Sequence, residues 1–284
     1  MRNLFNIIGL TLIILLTSCT QEYKLERMYY HAYKKYIQIS KNPSSATPSQ
    51  IDQVIADFKK IINLSSKNFK GGNIQYTIGH LYFLKNDFKK ARQELNEFIS
   101  DFSYQRENCL TAKFLIGLSY EQENKWDNAL VIFKEIMKDY PLSLIAIDLP
   151  HHIAQYYEGD KKYQEAEKTL RDAIVYYDKI INSYPSNKKL VMIMEDKILQ
   201  TYEKLDDWQR MINTLRNMID IYPHTERGAQ ALYQLAKIYE DRKKTKEAIF
   251  CYEQFIQDYP HHNLKSVARE KIHALKIILP VKSE

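Results

Sequence analysis

The 284-residue sequence predicts an all-α chain, a helical solenoid of about six helix-turn-helix repeats closed by a C-terminal capping helix. Two observations carry this. The first is punctuation: Tyr140-Pro141, Tyr184-Pro185, Tyr222-Pro223 and Tyr259-Pro260 each close an amphipathic run, and successive prolines lie 44, 38 and 37 residues apart. A period of that length marks a stacked repeat, in which each unit buries its apolar face against its neighbours. The second is composition: there are only 7 glycines and no alternating strand pattern of useful length.

The elements follow in chain order. Residues 1–18 read as a signal peptide, with Arg2 as the positive end and Leu4 to Leu16 as a short apolar run. A membrane-spanning helix needs about 20 apolar residues, so this run is too short to span comfortably. It ends in Leu16-Thr17-Ser18-Cys19, which resembles a bacterial lipobox. The resemblance implies cleavage before Cys19 and lipid attachment there; several acyl chains on one residue anchor stably. Thr20 stands where an Asp would oppose outer-membrane sorting in the enteric pattern. The expected location is therefore the outer membrane, facing the periplasm, with residues 19–22 as a tether.

Residues 23–66 read as an atypical N-terminal helical hairpin, with helices over Tyr23–Ser40 and Ser49–Leu64 and a longer connection over Lys41–Pro48. Terminal units cap a stack and are expected to be irregular. Residues 67–263 hold five repeats in one register. A small residue on the first helix recurs as Gly79, Gly117, Ala154 and Ala236, with Leu199 the exception. Twelve residues later stand Ala91, Ala129, Ala166 and Ala248, with Met211 the exception. Tyr82, Tyr120, Tyr157, Tyr202 and Tyr239 follow the first small position by three residues, and Leu95, Phe133, Leu170, Leu215 and Tyr252 follow the second by four. This pattern resembles the tetratricopeptide motif, whose paired helices approach closely at the two small positions. The resemblance implies a right-handed solenoid whose first helices line the partner-binding groove.

Local variations are readable too. Nineteen residues separate Ala166 from Pro185, seven more than in the neighbouring repeats, so that second helix is expected to gain about two turns. Pro150 is expected in a first helical turn, where proline is tolerated. Ser186, Thr225 and Asn263 are expected N-caps. Residues 264–284 supply the capping helix and tail, with Leu264–Leu279 expected to cover Phe250 and Phe255.

The register names the groove-facing positions. Tyr76, Phe114, His151 and Tyr233 form one column; His80, Leu118, Gln155, Gln200 and Lys237 form the next; Glu121, Glu158, Glu203 and Glu240 form a third. The candidate partner-binding residues are Tyr76, His80, Phe114, Glu121, Glu158, Glu203, Tyr233 and Glu240. Two readings of the glutamates stand side by side: an acidic rail for a partner with spaced Lys or Arg, or a solvated helix face. Tyr29, Tyr30, Tyr33 and Tyr36 also have two readings, a core stripe with exposed neighbours or a contact with membrane headgroups.

Chemistry is not signalled. No zinc-spaced cysteines, phosphate loop or G-x-S-x-G elbow occurs, so no cofactor, metal or enzymatic activity is expected. Cys109 and Cys251 lie three repeats apart, beyond disulfide reach, and read as buried thiols. The net charge of +6 is spread along the chain without a basic stripe, which argues against nucleic acid. The lipobox together with the repeats resembles the BamD (YfiO) outer-membrane assembly lipoproteins. The stretch from Tyr222-Pro223-His224-Thr225 through Ala229, Tyr233, Ala236, Tyr239, Ala248, Tyr252 and Tyr259-Pro260 is similar to the C-terminal repeats of the CpoB (YbgF) periplasmic proteins. These resemblances imply a scaffold for envelope proteins, foremost a β-barrel assembly complex. The alternatives are a ligand-capture lipoprotein for peptide or glycan, or a scaffold for cell-wall, division, pilus or secretion machinery.

Overall fold

The computed structural model describes residues 2–65 and 70–278, with side chains from 21 to 65 and from 70 to 277. The expected lipidation site, Cys19, and the signal side chains lie outside the described ones. The described residues are all-helical: α1 (Arg2–Lys41), α2 (Pro48–Leu64), α3 (Gly71–Leu84), α4 (Phe88–Asp101), α5 (Arg106–Gln122), α6 (Trp126–Asp139), α7 (Leu144–Gly159), α8 (Tyr163–Ser183), α9 (Lys188–Lys204), α10 (Trp208–Ile221), α11 (Glu226–Asp241), α12 (Thr245–Asp258) and α13 (Lys265–Ile278). They form helix-turn-helix repeats in two compact units, Met1–Leu149 and Pro150–Glu284.

The N-terminal hairpin matches its expected ends closely, except that α1 begins at Arg2 and so runs through the stretch read as signal and tether. A short 3₁₀ turn at Pro43–Ser45 fills the connection. Thr47 then starts α2 with a capping box: its side chain accepts from the Gln50 N–H, and the Gln50 side chain accepts from the Thr47 N–H.

The small positions do what close helix pairing requires. Ala91, Ala129, Ala154, Ala166, Ala236 and Ala248 are all buried, with Leu95, Phe133, Leu170, Leu215 and Tyr252 packed beside them in the core. The turn between paired helices is built identically five times. Asn86, Asn124, Lys161, Asp206 and Lys243, each seven residues after the small position, all adopt the left-handed conformation with φ between 51° and 64°. Each donates its N–H three residues back, to Phe83, Glu121, Glu158, Glu203 or Glu240, at 2.9–3.1 Å. The next residue donates to the repeat tyrosine, Tyr82, Tyr120, Tyr157, Tyr202 or Tyr239, at 2.8–2.9 Å. This pair of bonds is a Schellman motif, which satisfies carbonyls that a helix end would otherwise orphan.

The second helices end as the prolines dictate. Tyr140, Tyr184, Tyr222 and Tyr259 leave helical geometry, with φ between −118° and −133°. Each carbonyl then accepts from the residue three further on: Ser143, Asn187, Thr225 or His262. Phe102 takes the same conformation before Ser103, without a proline. The second helix of the fourth repeat counting the N-terminal hairpin, α8, has 21 residues where α4, α6, α10 and α12 have 14. Its extra two turns keep the buried face, through Ala173, Ile174, Tyr177 and Ile180.

Three local expectations are corrected. Pro150 sits inside α7 and not in its first turn, because that helix starts six residues earlier at Leu144; the boundary between the two compact units falls at this proline. The cap of α9 is Asn187, whose side chain accepts from the Leu190 N–H, because the turn opened by Tyr184 places Ser186 one residue too early. Phe255 is buried in the cluster containing Ala268 and Leu275 of α13, but Phe250 is 67 % exposed: it lies on the opposite side of α12. Thr225 caps α11 as expected, through the Gly228 N–H. Cys109 and Cys251 are buried free thiols, and burial pushes the Cys251 thiol up to about 11.

Candidate interaction surfaces

In the first unit, Tyr76 and His80 are half-buried on α3 and belong to a chain of ring contacts. Tyr29 stacks on Tyr33 (5.5 Å between centroids), Tyr33 meets Tyr36 (5.6 Å), and Tyr36 meets His80 (5.7 Å). The chain continues through Tyr76 (6.2 Å) to Phe98 (5.7 Å). The Tyr36 hydroxyl and His80 Nδ1 are 2.9 Å apart, so α1 is tied to α3 by a hydrogen bond within this apolar stack. Burial lowers the His80 pKa, and burial raises that of Tyr36. Phe114 of α5 packs against Phe133 of α6 at 6.1 Å. Three of the candidate groove residues thus contribute to helix packing, although each keeps an exposed edge.

In the second unit, Tyr233 of α11 makes edge contacts with Tyr252 (5.5 Å) and Phe255 (5.3 Å) of α12. Glu240 is engaged on both oxygens. The Tyr252 hydroxyl donates to Oε2 at 2.8 Å, and Lys271 of α13 donates to Oε1 at 2.7 Å. Burial alone would raise the Glu240 pKa, but the Lys271 and Tyr252 hydrogen bonds outweigh it and hold the carboxyl below its usual range. Glu203 is exposed, beside a small hollow of about 160 Å³ lined by Trp208, Met211, Ile238 and Asp241. Glu158 is half-buried, as is Glu121 in the first unit.

The backbone places these four glutamates at one equivalent position of the repeat, which Phe83 occupies in α3. Each is the residue whose carbonyl receives the left-handed N–H of the turn, so each stands in the last turn of its helix. A carboxylate there faces the negative end of the helix dipole, which disfavours it by about 0.3–1 kcal/mol. Helix stability therefore gives no reason for glutamate at this position. In the second unit the neighbouring column is also open: Gln155, Gln200 and Lys237 are exposed on three successive first helices.

A groove that register reading missed lies on the other side of the second unit. Leu232, Leu235 and Tyr239 of α11 form its floor, and Arg216 of α10 with Phe250 and Cys251 of α12 line it, around a volume of about 460 Å³. Arg216 donates to the Tyr239 hydroxyl at 2.8 Å and so bridges α10 to α11. Its one sequence signal is an aromatic, Phe250, at a position that packing does not use. Among the described residues, no group of three His, Cys, Asp or Glu side chains is arranged to hold a metal. Among those residues no helix is long and apolar enough to cross a membrane.

Family models agree with this repeat architecture over three segments. Tetratricopeptide repeat models match residues 111–143 and 230–262, and a further tetratricopeptide model matches 72–100. No curated protein matches the sequence. Among solved structures, a thermophilic TPR protein of Thermus thermophilus is 12 % identical, with 73 % of this chain and all of that one covered and a TM-score of 0.37. BtubC from P. vanneervenii is 14 % identical over 92 % of this chain and 95 % of its own, with a TM-score of 0.37. The TPR2AB domain of yeast Sti1, in complex with pHSP90, is 15 % identical over 87 % and 98 %, with a TM-score of 0.33. The chain carries tetratricopeptide repeats.

Proposed function

We propose that this chain is a lipid-anchored scaffold of the bacterial envelope, held at Cys19 to the outer membrane, facing the periplasm and serving β-barrel protein assembly. Tetratricopeptide repeats are protein-interaction units, which supports the scaffold part of the reading. The observation that carries it is the division of labour in the repeats of the second unit. The recurring residues are spent on packing and turn closure, while Gln155, Gln200 and Lys237 and the turn-end Glu203 stay open to a partner. The Leu16-Thr17-Ser18-Cys19 stretch supports the anchor, and the resemblance to the BamD lipoproteins supports the specific role.

The test is affinity purification of the full chain from gently solubilised envelopes, with mass spectrometry of the co-purifying proteins and of Cys19. A co-purifying β-barrel protein with repeated periplasmic domains is the expected result. Cell-wall enzymes or pilus components would keep the scaffold and overturn the assembly role; no protein partner would overturn the scaffold. The charge of the open face is tested separately by Glu158→Gln with Glu203→Gln. Unchanged partner binding in that variant would mean that the glutamate column is only a solvated face.

A further inference from the structure

α1 buries Leu25, Ala32, Tyr36 and Ile39 on one side, and what it presents on the opposite side is unusual for a solvated helix face. Tyr23, Arg27, Tyr30, Lys34 and Lys41 fall at i, i+4, i+7, i+11 and i+18, which places them on one stripe. Tyr23 is 71 % exposed and Tyr30 63 %. Lys24, Arg27, Lys34 and Lys41 are exposed and make no ion pair or hydrogen bond among the described residues. The helix does pair its cations elsewhere: Lys35, off the stripe, holds Asp57 of α2 at 2.8 Å. On the flank, Glu26 is held by Lys70 at 2.6 Å. Acid is thus absent from the stripe, on which tyrosine and base alternate from Tyr23 to Lys34.

We infer that this stripe rests on an anionic lipid surface, with Arg27, Lys34 and Lys41 against headgroup phosphates and the Tyr23 and Tyr30 rings at the boundary between headgroups and acyl chains. The chemistry is complementary on both counts. Unpaired Lys and Arg near an anionic leaflet gain electrostatic attraction within a Debye length. Tyrosine has an apolar body and a polar tip, and favours the same interface. The stripe begins four residues after Cys19, so the inference rests on the anchor reading above. An acyl anchor alone tethers a protein without orienting it. A lipid-binding face on α1 fixes which way the repeats project.

The test uses the full lipidated chain with Tyr30→Trp, reconstituted into vesicles of brominated phosphatidylcholine with or without phosphatidylglycerol. The unsubstituted chain gives the background from Trp126 and Trp208, and Lys189→Trp in the second unit is the control. The expected result is quenching of the added tryptophan at position 30 in anionic vesicles only, with none at position 189. Arg27→Glu with Lys34→Glu should reduce the bound state of this face by about tenfold, as should high salt. Equal, weak quenching in both vesicle types while the protein stays vesicle-bound overturns the lipid face and leaves the anchor standing. Failure to associate with any vesicle overturns both. An added tryptophan at position 30 that is unquenched in vesicles but shielded in native envelopes would assign the stripe to a protein partner, which also overturns the inference.

Discussion

Gly117 lies directly against the ring of Phe133: a Cβ added to it would stand 2.4 Å from Cε1 of that ring. Gly79 faces Leu95 in the same way, with Cγ at 2.7 Å from such a Cβ. These are the contacts that let paired helices approach. Gly117→Ala is therefore expected to destabilise the first unit by about 1–3 kcal/mol through overpacking. Gly159→Ala has no heavy atom within 4 Å and is expected to stabilise by up to about 1 kcal/mol. Urea midpoints of the two variants should move in opposite directions.

The left-handed turn residues offer a second test. Lys161 and Lys243 carry φ of 60° and 57°, a conformation that costs an ordinary side chain about 1–2 kcal/mol and Asn less. Lys161→Asn should raise the thermal midpoint, gaining about 0.5–1 kcal/mol. Asn124→Val should lower it by at least as much, since a branched Cβ suits φ of 57° poorly.

Second-helix caps differ in kind between repeats. Asp87 and Asp207 accept from the Lys90 and Arg210 N–H groups, whereas Lys125, Lys162 and Lys244 occupy the same place without a side-chain cap. Asp207→Ala is expected to cost about 1 kcal/mol. Lys162→Ala should change denaturant stability very little, and a matching loss there would mean that the cap carboxylate is irrelevant to this turn.

Glu240 gives a pH dependence. Its folded pKa is depressed, so its stabilising contribution is present above the unfolded carboxylate value and is lost as pH falls through the folded one. Wild type should be more stable than Glu240→Gln at pH 7, and the difference should shrink steadily below about pH 4.5. A gap that stays constant with pH would refute the carboxylate's role.

His80 acts in the same direction for another reason. Burial favours the neutral ring, so protonation favours unfolding, and stability is expected to fall as pH drops below about 6.5. Replacing it by His80→Gln should flatten the stability profile of the first unit between about pH 7 and 5, whatever it does to absolute stability. A slope equal to that of wild type would place the titration elsewhere.

Much of this architecture is legible in the sequence because repeat packing uses few residue types. Ala91, Ala129, Ala166 and Ala248 name the close approaches, and the spacing from Ala166 to Pro185 gives the length of α8. The turn is not legible, because Asn86, Asn124, Lys161, Asp206 and Lys243 share a conformation but no side-chain chemistry; the packed helices on either side impose it. The groove columns are half legible. Tyr76 and Tyr233 lie where the register puts them, but long rings lean toward the partner helix, and they reach Phe98 and Phe255. Phe250 departs for the complementary reason: an aromatic next to a packing position reads as core, yet this one points away from it.

The repeated turn has a consequence for how such a chain tolerates change. Because the same two backbone bonds close five of the helix pairs, and small side chains fix where the helices of four of them touch, an insertion between those points would rotate one buried stripe off the other. Beyond the second small position the constraint is looser, and only the angular phase of the apolar stripe must survive. α8 is lengthened there, by seven residues, close to two full revolutions of the helix. Growth in this molecule is therefore quantised: a segment can be added where it returns the chain to the same bearing, about 10 Å further on.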